Sequence, residues 1–140
     1  MDSNLRRSII LDNYNNPNNR QRHDNDDYIK TNSRNVSCID NIDVYVKIED
    51  NTIKDITYEG EACAISISSS SIISNLLKDK TLEQAKEIIN NYYNMIEEKE
   101  YNKELLEEAN VFDEIYKQPS RKMCATLIVR GIEDIINKMK

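Results

Sequence analysis

Three cysteines and one aspartate are the residues of this sequence whose types and spacing point most directly to chemistry. Cys38, Cys63 and Cys124 are its only cysteines, and Asp40 stands two residues after the first of them. Three thiolates and a carboxylate are enough for one tetrahedral metal site, and the thiolate is also the nucleophilic form of cysteine. The sequence has no phosphate-binding glycine loop, no Gly-x-Ser-x-Gly elbow and no His-Glu-x-x-His pair.

A shared metal site is one of two interpretations of these cysteines, because no Cys-x-x-Cys pair is present. The alternative is that each is a buried, small hydrophobic side chain. In a shared site Asp40 would be the hardest and most exchangeable ligand, so we expect it to be the ligand that dissociates from the metal when the site opens. The single histidine, His23, stands among charged residues, where a solvated ring is expected and a metal ligand is the alternative.

A β-hairpin is the clearest structural signal and brings two of the cysteines together. Apolar residues alternate with polar ones over residues 42 to 48, Asp50 and Asn51 follow, and a second apolar series runs from residue 53 to 58. Cys38 and Asp40 precede the first strand, and Cys63 follows the second. Because an antiparallel hairpin returns the chain to its starting end, we expect these residues to lie close together.

Helical patterns surround this hairpin. Ser3 is a plausible N-cap for the first helix, and Thr81 and Gln84 match a capping box. Cys63 and Cys124 fall near predicted helix starts, where the helix dipole would lower the pKa of a thiol. The predicted helices cover residues 3–14 and 64–77, the segment after Thr81, one or two short helices within 97–118, and one helix from Pro119, with a polar connection and one weak strand over 18–35.

Two further segments each have two interpretations. The four serines at 68–71 are typical of close helix packing, with an anion-binding cradle as the alternative. The acidic residues of 97–108 are typical of a solvent-exposed face, with partner docking as the alternative.

Composition narrows the class of protein. With 140 residues we expect one domain spanning 1–140, and the net charge of −6 argues against a nucleic-acid partner, although a basic protein partner remains open. No apolar run reaches membrane-spanning length, and the start of the sequence does not have a signal-peptide pattern, so we expect a cytoplasmic protein without a membrane partner. In that reducing compartment three widely spaced cysteines favour free thiols or metal ligands over disulfides.

Four motifs in register give the sequence a resemblance to a known family over nearly its whole length. It resembles the U-type iron-sulfur cluster assembly proteins, the family of IscU and the N-terminal domain of NifU, and most closely the SufU branch. IscU-type members carry His where Met123 stands here, and the acidic stretch before Pro119 resembles a SufU-type insertion. The motifs are DNYNNPNN at 12–19, CID at 38–40, GEACAIS at 60–66 and RKMCA at 121–125.

The resemblance implies a fold and a site. The fold would be α+β, with a small antiparallel sheet of about three strands packed against several helices and the cysteines converging at one end. The site would bind zinc, Cys38 would accept persulfide sulfur, and Arg121 would be a candidate for site or partner contacts. Three family glycines are replaced, by Ile39, Ala62 and Gln21, which affects the flexibility of the site loops. The implied zinc ligands are Cys38, Asp40, Cys63 and Cys124.

Three functional hypotheses follow. The first is a zinc-dependent sulfurtransferase that receives sulfur from a SufS-like cysteine desulfurase. The second is a scaffold that holds a transient [2Fe-2S] cluster and passes it to apo iron-sulfur proteins or a downstream carrier. The third is a structural zinc module that mediates interactions without turnover.

Overall fold

The structure, a computed structural model, describes residues 1–139 and has the predicted α+β architecture. Within these residues a three-stranded antiparallel sheet is accompanied by six α-helices. None of the helices described is long and apolar enough to cross a bilayer. The elements are α1 Ser3–Asn15, β1 Ile29–Arg34, β2 Asn41–Glu49, β3 Thr52–Glu61, α2 Ala64–Leu77, α3 Leu82–Ile96, α4 Lys103–Leu106, α5 Pro119–Ala125 and α6 Leu127–Lys138, with 3-10 turns at Glu107–Phe112 and Ile115–Lys117.

The sheet confirms the predicted hairpin and the weak strand before it. Its order is β1-β2-β3, and β2 and β3 are joined by Asp50 and Asn51, both of which have positive φ angles as a tight hairpin turn requires. At the opposite end of the hairpin Asn41 pairs with Glu61. Residues just before β2 and just after β3 therefore emerge side by side.

Helices α2 and α6 cover one face of the sheet and enclose the hydrophobic core. Gly131 of α6 lies against Val44 of β2, and a β-carbon at position 131 would come within 2.8 Å of a Val44 methyl group. The missing side chain lets the helix approach the strand closely. The large apolar residues of β2 and β3 that form this core include Ile42, Val44, Val46, Ile53, Ile56 and Tyr58.

The serine-rich helix α2 uses its hydroxyl groups for packing. Ser71 donates to the Asn13 side chain at 2.7 Å and accepts from the backbone N–H of Asn18, and Ser74 accepts from Asn19. These bonds fasten α1 and the turn after it to α2. They support the packing interpretation of the serine run, since its hydroxyls are buried and largely occupied by protein partners.

Two boundaries differ from the sequence-based predictions. The side chain of Asp2, rather than Ser3, caps α1 by accepting from the N–H of Leu5. The single C-terminal helix predicted from Pro119 is two helices, because the chain turns at Thr126 (φ −102°, ψ 4°), whose hydroxyl bonds back to the carbonyl of Lys122.

Gly60 allows β2 and β3 to pair closely at the end of the hairpin opposite its turn. Its φ of +145° is disfavoured for other residues, and a β-carbon there would collide with the carbonyl oxygen of Asn41 and lie 2.9 Å from the α-carbon of Ile42. The register between the start of β2 and the end of β3 therefore depends on glycine at this position.

We expect Gly60→Ala to lower the free energy of unfolding by more than about 1 kcal/mol, because of backbone strain and the collision with β2. Urea denaturation followed by circular dichroism measures the change. Glu61→Ala is the matched control, since it alters an exposed neighbour on the same strand. Equal stability of the two variants would contradict this account of Gly60.

Candidate metal centre

Four side chains converge at the open end of the hairpin. The ligand atoms of Cys38, Asp40, Cys63 and Cys124 all lie within 4.8 Å of one another, and the three cysteines are free thiols. A zinc ion with tetrahedral bonds of about 2.3 Å to sulfur places its ligands about 3.8 Å apart. The donor set therefore fits one such ion after small side-chain movements, and the structure brings together all four residues singled out in the sequence.

The loop between β1 and β2 carries Cys38 and Asp40, and Asn35 shapes it. The backbone N–H of Asn35 donates to the Asp40 carbonyl at 3.0 Å, and its own carbonyl accepts from the N–H of Cys38 at 3.1 Å. Its side-chain oxygen accepts from the N–H of Ser37, while its amide nitrogen lies 3.6 Å from the Cys124 sulfur. Asn35 thus connects the loop to the third cysteine, a role that sequence analysis missed.

The Asp40 carboxylate is buried and held on both oxygens. Oδ1 accepts from the backbone N–H of Cys63 at 2.8 Å, and Oδ2 accepts from the Ser66 hydroxyl at 2.6 Å. Burial raises the pKa of Asp40, but these hydrogen bonds outweigh burial and leave the pKa below its ordinary value. This contact of Ser66 was not predicted from the sequence, where its spacing of three from Cys63 is the available signal.

Cys63 occupies the N-cap position of α2, in agreement with its predicted place near a helix start. Its backbone N–H points to Asp40, so the start of the helix is capped by a carboxylate from another segment rather than by its own side chain. The sulfur lies 3.5 Å from the Ser66 hydroxyl and 4.0 Å from Asp40 Oδ2. The hairpin and the helix start together place this thiol beside the carboxylate.

The position and the pKa of Cys124 both differ from the expectation that a nearby helix start lowers its pKa. It is 1% exposed and lies in the last turn of α5, because the helix ends at Ala125. Burial, followed by the proximity of Asp40 and Cys63, raises the pKa of the Cys124 thiol to about 12. The neutral thiol is therefore the favoured form of Cys124 at neutral pH in metal-free protein.

An open groove of about 650 Å³ borders the site on the side of the Cys38 loop. Cys38 and Asp40 line it, whereas Cys63 and Cys124 do not. The flanking residues Val36 and Ile39 are 94% and 65% exposed, which is unusual for large apolar side chains on a loop beside reactive groups. Cys38 is therefore a thiol that another molecule can approach from this groove.

Two other predicted residues lie outside the four-residue group. The ring of His23 stacks on Tyr28 at 3.9 Å and meets Tyr45 edge-on, so the alternative in which it serves as a metal ligand has no support in the geometry. Arg121 is exposed on α5, three residues before Cys124, and its role stays a prediction.

The fold and the site together define a small α+β protein with a thiol–carboxylate centre at one end of an antiparallel sheet. The chain belongs to the family of NifU-like N-terminal domains, whose model matches residues 5–125. This match confirms the resemblance identified in the sequence.

The relatives include proteins named for both sulfur transfer and cluster assembly. The chain is 31% identical over 135 residues to the zinc-dependent sulfurtransferase SufU of Bacillus subtilis, covering 96% of this chain and 90% of that protein. It is 27% identical to the iron-sulfur cluster assembly scaffold protein IscU of Thermotoga maritima, covering 76% and 75%.

Solved structures agree with the fold. A crystal structure described as a putative iron-sulfur cluster assembly scaffold protein for the SUF system, from Fervidobacterium islandicum, superimposes with a TM-score of 0.86 at 26% identity, covering 94% of this chain and 97% of that one. The N-terminal part of a NifU-like protein from Brucella abortus gives a TM-score of 0.83 at 20% identity, covering 92% and 90%.

In metal-free protein we expect Cys124 to react with iodoacetamide at least about ten times more slowly than Cys38, because it is buried and its raised pKa leaves little thiolate. Mass spectrometry of peptides after timed alkylation measures the order. The same reaction in denaturant is the control, in which the difference should vanish. Equal rates in folded protein would contradict the assigned environment of Cys124.

Proposed function

We propose that this chain is an iron-sulfur cluster assembly protein that accepts persulfide sulfur from a cysteine desulfurase at a zinc site. The observation that carries the proposal is the convergence of three thiols and one carboxylate within 4.8 Å. Membership of the NifU-like N-terminal family and 31% identity to a protein named as a zinc-dependent sulfurtransferase support it. We propose further that residues 1–140 act as one domain in the cytoplasm.

The residues that would hold zinc are Cys38, Asp40, Cys63 and Cys124. When bound, the ion would keep the thiols ionised at neutral pH and hold their three chain segments together. The effect of the ion on ionisation would be greatest at Cys124, since burial raises the pKa of its thiol. It would be smallest at Asp40, whose hydrogen bonds already lower its pKa. Three thiolates and a carboxylate carry four negative charges, which a divalent cation compensates in part.

Cys38 is the proposed acceptor because it borders the open groove. Its thiolate attacks the outer sulfur of a persulfide on the desulfurase, and a sulfur–sulfur bond to Cys38 forms as the bond within the donor breaks. The donor cysteine leaves as a thiolate with the bonding electron pair. Sulfur moves between two cysteines without an external oxidant or reductant.

The surroundings of Cys38 suit such a transfer. The exposed side chains of Val36 and Ile39 line the same groove as Cys38, so a donor bound in that groove would contact them. Apolar contacts there would exclude water from the reacting sulfurs and orient the partner. Arg121, exposed on the helix that carries Cys124, remains a candidate for an additional partner contact.

A scaffold for a transient [2Fe-2S] cluster is the second candidate. The same three thiols and carboxylate are ligand types that iron-sulfur clusters accept, and relatives named as IscU scaffolds favour it. A structural zinc module without turnover is less favoured, because the relatives are named for sulfur transfer and for cluster assembly.

We expect the purified chain to contain zinc and to raise the rate at which a cysteine desulfurase releases sulfide from cysteine. Cys38→Ala should return that rate to the value of the desulfurase alone, because the acceptor sulfur is lost. The measurement is sulfide release with and without the chain, with free zinc added to the desulfurase as the control.

Two outcomes would contradict sulfur transfer. Stimulation by Cys38→Ala equal to that of the original chain would exclude Cys38 as the acceptor. Zinc-free protein that instead binds a cluster, with visible-range absorption after anaerobic addition of iron and sulfide, would favour the scaffold.

A further inference from the structure

We propose that Ser66 is a positioning residue that keeps Asp40 fixed as the oxygen ligand of the centre. This inference rests on the zinc site proposed above. It replaces the sequence-based expectation that Asp40 is the ligand that exchanges, because its contacts make the carboxylate the most firmly held of the four groups.

The Ser66 hydroxyl is committed to the carboxylate. Ser66 is fully buried, and its oxygen lies 2.6 Å from Asp40 Oδ2 and 3.1 Å from the Cys124 carbonyl oxygen. A hydroxyl has one proton, and a charged acceptor at the shorter distance receives the stronger bond. Ser66 therefore donates to Asp40 in preference to the carbonyl.

The other two oxygen atoms of Asp40 also accept hydrogen bonds. Its other carboxylate oxygen accepts the N–H of Cys63 at 2.8 Å, and its backbone carbonyl accepts the N–H of Asn35 at 3.0 Å. By contrast, no hydrogen bond to the Cys38 thiol occurs within residues 1–139. If Asp40 dissociated from a metal, its hydrogen bond from Ser66 would remain. The carboxylate would therefore stay beside the metal and could bind it again.

The bond from Ser66 is compatible with metal binding. Each carboxylate oxygen has two lone pairs, so Oδ2 can accept from the hydroxyl and still face a cation. Carboxylates that bind metals in proteins are commonly oriented by such hydrogen bonds, and removal of the donor weakens metal affinity.

Neighbouring serines of α2 show that this orientation is specific to Ser66. Ser68 donates to the carbonyl of Ala64 at 2.8 Å, and Ser69 donates to the carbonyl of Ser66 at 3.2 Å. Both bonds stay within the helix, whereas the Ser66 hydroxyl reaches 26 positions back along the chain to Asp40. Ser68 is also buried and makes no bond to Ser66, so Ser68→Ala is a matched control for loss of a buried hydroxyl.

The test loads the full-length chain with zinc alone and follows the transfer of zinc to a coloured chelator. We expect Ser66→Ala to release zinc about 10 to 100 times faster than the original chain. Ser68→Ala should stay within about twofold of the original rate, because its hydroxyl bonds to neither Ser66 nor the ligand side chains. Ser66→Thr, which retains the hydroxyl, should restore slow release.

Two further measurements separate positioning from a structural effect. Thermal unfolding of the metal-free variants shows whether each is folded, and only rates from folded protein are compared. In an Asp40→Ala background we expect Ser66→Ala to change the release rate by no more than about twofold, since its target is gone.

Three results would overturn the proposal. These are release from Ser66→Ala at the original rate, an equal acceleration in the Asp40→Ala background, and failure of the original chain to bind zinc. The last result would also remove the proposed zinc site, whereas the first two would leave that site and the sulfur-transfer function intact.

Discussion

The carboxylate of Asp40 is the point on which the site depends, because it connects the segments that carry the thiols. Its two oxygens bind the start of α2 through Cys63 and Ser66, and Ser66 lies beside the Cys124 carbonyl. Its backbone carbonyl closes the loop that carries Cys38. One buried charge with several donors therefore aligns three parts of the chain that are distant in sequence, in agreement with the rule that buried charges need full hydrogen bonding.

The same arrangement is one that a bound cation would stabilise. Burial, followed by the proximity of Asp40 and Cys63, raises the pKa of the Cys124 thiol and so disfavours its thiolate. A divalent metal in the proposed site would compensate the negative charge and join the Cys38 loop, α2 and α5. The fold supplies a rigid frame through the hairpin and the serine packing of α2, while the Cys38 loop faces an open groove. Hydrogen bonds thus hold Asp40 in place, whereas Cys38 borders the groove from which another molecule can approach.

Local patterns predicted much of this structure. The alternation in residues 42 to 58 and the turn at Asp50 and Asn51 indicated the hairpin, and hairpin geometry was enough to pair Cys38 with Cys63. The position of Cys124 came from the family resemblance, since no local rule relates it to the hairpin. The helix break at Thr126 and the contacts of Ser66 escaped prediction, because single side-chain hydrogen bonds leave no periodic signal in a sequence.

X-ray absorption spectroscopy at the zinc edge of the purified chain tests the central claim most directly. A shared site made by three thiols and Asp40 predicts three sulfur neighbours at about 2.3 Å and one oxygen at about 2.0 to 2.2 Å around each zinc ion. Zinc surrounded by fewer than three sulfurs, or by nitrogen and oxygen alone, would contradict the claim that these four side chains bind one ion.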